Sequence, residues 1–257
     1  MDLGIKDRKA LVCGASAGLG LACAEALVRE GVYVVIVART EGPLVEALEQ
    51  LCLLGAADCV AADVTTVEGR SRIFAQHPDF DIVVTNAGGP PPGDFRQWDQ
   101  AAWHKALDAN MLAPIELIKA TVDGMMARGW GRIINITSSA VKAPVDGLGL
   151  SNGARSGLTG FVAGLARSTV AKGVTINNIL PGTFDTARLA GNFAAQAQRE
   201  GRSVEEVRHD RLAKHPAHRF GHPSELGHAC AYLCSVHAGY INGQNLLLDG
   251  GSFAGVF

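Results

Sequence analysis

Ala10-Leu11-Val12-Cys13-Gly14-Ala15-Ser16-Ala17-Gly18-Leu19-Gly20 decides the fold of this 257-residue chain. Four apolar residues run into a glycine-rich turn, which is the pattern of a buried strand. Leu19, Cys23, Ala26 and Leu27 then recur at helical spacing until Gly31 stops the helix. The Gly14-x-x-x-Gly18-x-Gly20 cluster therefore lies between a strand and the helix it opens. Glycines there let the backbone turn tightly and approach a pyrophosphate, which rests on the unpaired N–H groups of the helix start. Val32 to Ala38 follows as a β-branched run of the kind that fills a parallel sheet covered on both faces.

The alternation continues outward from this unit. Helices are expected at about 43–54 and 66–76, with strands at 57–61 and 81–85. A long helical stretch covers 99–128, with Pro114 marking a break or a new start. A strand at 131–136, a helix at 151–172 and a strand at 174–180 come next. Helical pieces between 186 and 213, a helix at 223–236 and a strand at 245–248 complete the chain. About seven strands alternating with helices make an α/β, Rossmann-type, doubly wound parallel sheet, in a single domain over 1–257. No internal repeat or composition shift marks a second domain.

The chain is 47% hydrophobic and 19% charged, with a net charge of −2, which fits a well-packed folded protein. It shows no basic stripe, so no nucleic-acid partner is expected. No apolar run reaches the roughly 18 residues of a membrane span. The N-terminus lacks the apolar core of a secretory signal, and a cytoplasmic location is expected. Cys13, Cys23, Cys52, Cys59, Cys230 and Cys234 stand in apolar contexts with no Cys-x-x-Cys pair, the pattern of reduced core cysteines.

Together with the glycine loop, Asn86-Ala87-Gly88 and Asn135-Ile136-Thr137-Ser138-Ser139 resemble the short-chain dehydrogenase/reductase family along nearly the whole chain, and in particular its 3-ketoacyl-reductase-like members. The resemblance implies that Gly14, Ser16, Gly18, Leu19 and Gly20 hold a dinucleotide. Asp63 and Val64 would flank its adenine, and Asn86, Ala87 and Gly88 would line the cleft floor. Pro181, Gly182, Thr183 and Thr186 would meet the nicotinamide end. NAD-binding relatives place an acidic residue at the end of the second strand. Here Ala38 and then Arg39 stand there, so no carboxylate repels a 2′-phosphate and a guanidinium can pair with one. NADP(H) is favoured over NAD(H). Phe184 departs from the small β-branched residue of relatives and is expected to crowd the nicotinamide.

The family's catalytic set is an Asn, a Ser, and a Tyr followed four residues later by a Lys. By position, Asn110 and Ser138 match the first two, for a proton relay and for polarising a carbonyl. Ser151 and Arg155 occupy the places of the tyrosine and lysine. A serine hydroxyl is shorter and far less acidic than a phenol of pKa about 10. Arg155 is a permanent cation whose fork suits ribose hydroxyls or a carboxylate. Lys142, and less so Asp146, stand on the neighbouring loop as replacement acids or bases; a desolvated Lys142 beside a cation would have a lowered pKa.

Residues 186–220 are expected to form a lid over the substrate. Its seven arginines and lysines, Arg188 among them, outnumber four carboxylates; solvated helix faces explain most of this excess, and an anionic carbonyl substrate is the alternative. Pro216 and Gly221 break any regular spacing of His215, His218 and His222, so no metal is expected. Trp98 and Trp103 read as packing residues. Kinship implies a homotetramer or homodimer built on 99–128 and 151–172, where Gly153, Gly157, Gly160 and Gly164 would permit close helix approach. Three functions remain open: an NADP(H)-linked carbonyl/alcohol oxidoreductase with an atypical catalytic set, a non-redox lyase or hydrolase acting on a carbonyl compound, and a catalytically inactive dinucleotide-binding protein.

Overall fold

Strand β1 (Lys9–Cys13) leads into helix α1 (Gly18–Arg29), as the glycine loop requires, and β2 (Tyr33–Ala38) returns beside it. The computed structural model describes residues 1–256. Then follow α2 (Glu41–Cys52), β3 (Ala57–Ala61), α3 (Val67–Gln76), β4 (Ile82–Thr85), α4 (Gln100–Leu107) and α5 (Ala113–Arg128). The second half comprises β5 (Gly131–Ile136), α6 (Gly149–Thr169), β6 (Val174–Pro181), α7 (Ala187–Glu200), α8 (Val204–Lys214), α9 (Pro223–Cys234) and β7 (Asn245–Leu248).

All seven strands are parallel, in the order β3-β2-β1-β4-β5-β6-β7. Side chains alternate across each strand, so β1 sends Ala10 and Val12 to one face and Leu11 and Cys13 to the other. The first face packs on α1, α2 and α9 through Leu27, Leu44 and Leu226. The second packs on α3, α5 and α6 through Ile73, Leu117 and Leu158. Burial on both faces is what the uninterrupted apolar runs demand. The order reverses between β1 and β4, and that switch point opens a crevice at the carboxyl ends of the strands.

A row of polar residues inside the sheet is paired, while Thr175 Oγ1 of β6 is buried without a partner among the described residues. Thr85 Oγ1 donates to Asn135 Oδ1 at 2.7 Å, Asn135 Nδ2 to Asn178 Oδ1 at 3.1 Å, and Asn178 Nδ2 to Asn245 Oδ1 at 2.8 Å. This chain crosses four strands and fixes their register near the ends that carry the crevice.

Between α4 and α5 runs a π-helical turn over Asp108–Leu112, and Pro114 marks the new helical start, in the first turn of α5, where its missing N–H costs little. Gly153 and Gly157 serve packing within the chain: a Cβ on them would meet Trp103 at 3.0 Å and Met111 Sδ at 2.8 Å. Gly160 and Gly164 face open space on α6. Trp98 and Trp103 stand edge to face at 6.2 Å. Four cysteines are buried, Cys59 is half-buried and Cys52 is exposed; all six are free. Burial pushes the Cys13 thiol up to about 12, so it stays protonated and inert. No helix of the described residues is long and apolar enough to cross a membrane.

Candidate active site

The start of α1 is bare. Ala17 occupies its N-cap without a side-chain bond, and the first turn carries no acidic residue. By contrast α3, α4, α7, α8 and α9 are capped by Thr66, Asp99, Thr186, Ser203 and His222. The N–H groups and positive dipole end of α1 thus face the crevice unspent. The glycines divide into two kinds. A Cβ on Gly14 would collide with Asn86 at 2.8 Å, and one on Gly20 with the Gly14 carbonyl, so both close the turn inward. Asn86 Nδ2 locks it by donating to Gly14 O at 3.1 Å. Gly18, at φ +61°, has only Thr186 within reach at 3.8 Å, and Gly88 has nothing within 4 Å. These two open onto the crevice, with half-buried Ser16 and Leu19 beside them. A cradle open there, under an uncapped helix, fits a dinucleotide phosphate.

Arg39 is exposed at the tip of β2 and forms no ion pair among the described residues. Asp63 accepts from the Thr65 amide at 2.9 Å and its hydroxyl at 2.8 Å. Burial raises the Asp63 carboxyl, but those bonds and the Arg39 charge outweigh it, leaving it below its ordinary value. Val64, half-buried next to it, packs against the core. Across the crevice, Gly182 N donates to Leu248 O at 2.8 Å and Gly221 N to Thr183 O at 3.0 Å, which sets the path after Pro181.

The Phe184 ring is buried against Gly221, where a Cβ would stand 2.7 Å from it, and it borders a pocket shared with Thr183, Leu248 and Asp249. Asp185 N donates to Gly221 O at 2.9 Å, while the Phe184 amide makes no bond among the described residues.

Ser151 and Arg155 are joined. Ser151 lies in the first turn of α6 and Arg155 one turn later, both buried. Arg155 Nε donates to Ser151 Oγ at 3.2 Å, Nη1 to Ile136 O at 2.9 Å and Thr137 O at 2.6 Å, and Nη2 to Ala87 O at 3.2 Å. Four of its five N–H groups are so engaged. It ties α6 to the end of β5, one residue before Ser138, and to the Asn86-Ala87-Gly88 loop. Burial, and then the nearby Arg188 charge, lower its guanidinium below its ordinary value to about 10. The fork thus holds backbone first and leaves one N–H over. Ser151 Oγ accepts from the cation and keeps its own proton free to donate.

Ser138 is half-buried, its Oγ accepting from Ala140 N at 3.1 Å, which leaves the hydroxyl proton available. Asn110 sits inside the π turn, a geometry that often marks functional sites. Its Nδ2 donates to Ala106 O at 3.1 Å, and its buried Oδ1 lacks a partner among the described residues, an acceptor suited to a water. Lys142 lies 5.7 Å from the Phe253 ring centroid, with no hydrogen bond to Ser138, Ser151 or Arg155. Asp146 is an exposed turn residue bonded to Gly147 N.

In the lid segment, Arg202 pairs with Asp210 at 2.6 Å, Arg208 with Asp185 at 3.3 Å and Arg219 with Glu225 at 2.7 Å. Three of the seven cations in 186–220 are so paired, and Arg211 donates to the neutral Gln196 Oε1 at 3.3 Å. Arg188 reaches across to donate to Gly89 O at 3.2 Å. Sequence reasoning listed Arg188 only as a lid charge and missed Gly89; the Gly88-Gly89 doublet was the available signal.

An all-parallel doubly wound sheet with an open glycine cradle at its switch point defines a dinucleotide-binding α/β scaffold. A family model described as enoyl-(acyl carrier protein) reductase matches residues 14–252. Acetoacetyl-CoA reductase of Cupriavidus necator is 31% identical over 97% of this chain and 99% of its own. The 3-oxoacyl-[acyl-carrier-protein] reductase of Vibrio cholerae is 31% identical over 98% and 99%. The crystal structure of L-sorbose reductase from Gluconobacter frateurii, complexed with NADPH and L-sorbose, superimposes with a TM-score of 0.94 at 30% identity, covering all of both chains. The chain belongs to the short-chain dehydrogenase/reductase family and is similar to its 3-ketoacyl-reductase-like members.

Proposed function

We propose that this chain catalyses NADPH-linked reduction of a carbonyl compound, with the Ser151–Arg155 pair in the place of the family's tyrosine and lysine. The observation that carries the proposal is the buried Arg155 Nε–Ser151 Oγ bond, which pins the serine beside the strand end that holds Ser138. A reduced nicotinamide, when bound, supplies a hydride to the carbonyl carbon. The C=O π pair moves to oxygen, where the hydroxyls of Ser138 and Ser151 donate hydrogen bonds. Ser151 passes its proton to that oxygen, and the Arg155 cation stabilises the charge left on Oγ. The unpartnered Asn110 Oδ1 would hold the water that returns the proton from solvent. The serine is a weaker acid than a phenol, so the rate should fall toward the low end of the 1–10³ s⁻¹ typical of enzymes.

The neighbour complexed with NADPH and the exposed Arg39 at the end of β2 both support NADP(H) over NAD(H). The open cradle at Gly18 and Gly88 would take the pyrophosphate, and the free Phe184 amide the carboxamide. Lys142, which leans on Phe253, would border the substrate rather than donate the proton. Helices α7 and α8 share a small core of Phe193, Ala197, Val207 and Phe220, which supports a lid moving as one unit. A homo-oligomer would use the open face of α6 at Gly160, Phe161 and Gly164. A cytoplasmic location goes with this reading.

The test is NADPH consumption against a panel of β-keto thioesters, diketones and oxo acids. Turnover with one hydride transferred per alcohol formed supports the reading. Cofactor binding without consumption across the panel would leave a silent binder or a non-redox enzyme and overturn it.

A further inference from the structure

Arg188 and Arg155 converge on one glycine. A Cβ at Gly89 would stand 2.9 Å from Arg188 Nη2 and in ordinary contact, 3.5 Å, with Arg155 Nη2, so both guanidinium ends border this glycine and only Arg188 would have to shift. Neither forms an ion pair with any carboxylate among the described residues. Of the other cations in 186–220, those at 202, 208 and 219 have carboxylate partners, while those at 199, 211 and 214 also form no ion pair among the described residues but do not approach the Gly89 loop. Arg155 is buried and keeps one Nη2 hydrogen after its four bonds. Arg188 starts the lid helix α7 and reaches the loop after β4 through Gly89 O. Two permanent cations held together without a counter-charge in a crevice form a site for an anion.

We infer that Arg155 and Arg188 together receive a carboxylate of the substrate, making this enzyme a reductase of small oxo acids. The inference rests on the carbonyl-reductase reading above and deepens it. In that reading the cofactor's phosphates already have their donors, at the bare start of α1 and at Arg39. The arginine pair instead adjoins Ser151, the end where the reacting oxygen is held. A carboxylate offers one oxygen to each guanidinium, with the carbonyl a short carbon chain away toward Ser138 and Ser151. The bound carboxylate would also join lid to floor, so that closure is coupled to the correct substrate.

The experiment compares kcat/KM for 3-oxobutanoate and 4-oxopentanoate with that for their methyl esters, in wild type, Arg188→Met and Gly89→Ala. The acids should be preferred, and Arg188→Met should shrink that preference about 10- to 100-fold, the range of charge-assisted hydrogen bonds. Gly89→Ala keeps both arginines but pushes Arg188 aside, and should shrink it by a smaller factor. NADPH dissociation constants, from fluorescence titration, should stay within about threefold of wild type. An unchanged acid-to-ester ratio overturns the inference. So does an NADPH constant that rises in step with the loss, which would make Arg188 a clamp on a cofactor phosphate. If no compound turns over, calorimetry of 4-oxopentanoate with the enzyme–NADPH complex separates the two claims. Binding that Arg188→Met abolishes upholds the anion pair while the reductase reading falls; no binding to wild type sinks the pair as well.

Discussion

Replacing Arg155 by Met removes the one donor set that three separate carbonyls share. The oxygens of Ile136, Thr137 and Ala87 lose bonds of 2.9, 2.6 and 3.2 Å in a place where water is excluded. A buried acceptor left unpaired costs about 1–3 kcal/mol, so three cost roughly 3–9 kcal/mol. Against this, methionine no longer carries a desolvated charge. The lowering of the guanidinium to about 10 by burial puts that relief at roughly 3 kcal/mol. Subtraction leaves about 0–6 kcal/mol, and the loss expected here is the roughly 3–5 kcal/mol within that range that removing one partner of a buried charged network costs. For a domain of this size that lowers the thermal midpoint by roughly 5–15 °C. Scanning calorimetry of Arg155→Met and Arg155→Lys measures it. Lysine keeps the charge but presents its donors from a single atom, so it should recover less than half of the loss. A midpoint of Arg155→Met within about 2 °C of wild type would refute the clamp.

Three further outcomes follow from the geometry. Gly18→Ala places a side chain on a residue at φ +61° in the open cradle, costing about 1 kcal/mol of stability, and should weaken cofactor binding far more than that strain alone explains; fluorescence titration checks this. Arg39→Ala should weaken NADPH about 10- to 100-fold while leaving NADH nearly untouched, since only the 2′-phosphate loses its partner; equal losses for both cofactors would remove Arg39 from the reading. The Arg219 bond, then the His222 amide, hold the Glu225 carboxyl down at about 2. Because the folded value lies below the ordinary 4.5, Glu225 stabilises fully above that pH and loses its contribution as the pH falls toward 2. The gap in stability between wild type and Glu225→Gln, under about 1 kcal/mol for so exposed a pair, should therefore close across that window in acid-unfolding curves.

The sheet was legible because its signals are local. β-Branched runs, the glycine loop and Gly31 place β1, α1 and β2 within a residue or two, and β3, β5 and β7 match the expected bounds. The π turn at Asp108–Leu112 was not legible, since nothing in Asp108-Ala109-Asn110 differs from ordinary helix, whereas Pro114 did mark the start of α5. At the site, residue types were readable and their bonding was not. Arg155 read as a cation for a ribose or a carboxylate, and the sequence held no sign of the three backbone carbonyls, 18, 19 and 68 residues away, that take most of its donors. Phe184 is buried where it is because Gly221, on a distant segment, leaves room for its ring. Arg188 likewise gains meaning only through Gly89. Such long-range pairings depend on the assembled crevice and leave no periodicity behind.

Steady-state reduction by Ser151→Ala, with NADPH affinity measured beside it, tests the central claim most directly. The account predicts that kcat falls about 10²-fold, the lower end of what positioned acid catalysis contributes, while the NADPH dissociation constant stays unchanged. A rate within about threefold of wild type, or a comparable loss appearing in Lys142→Ala instead, would take the proton away from Ser151 and contradict the account.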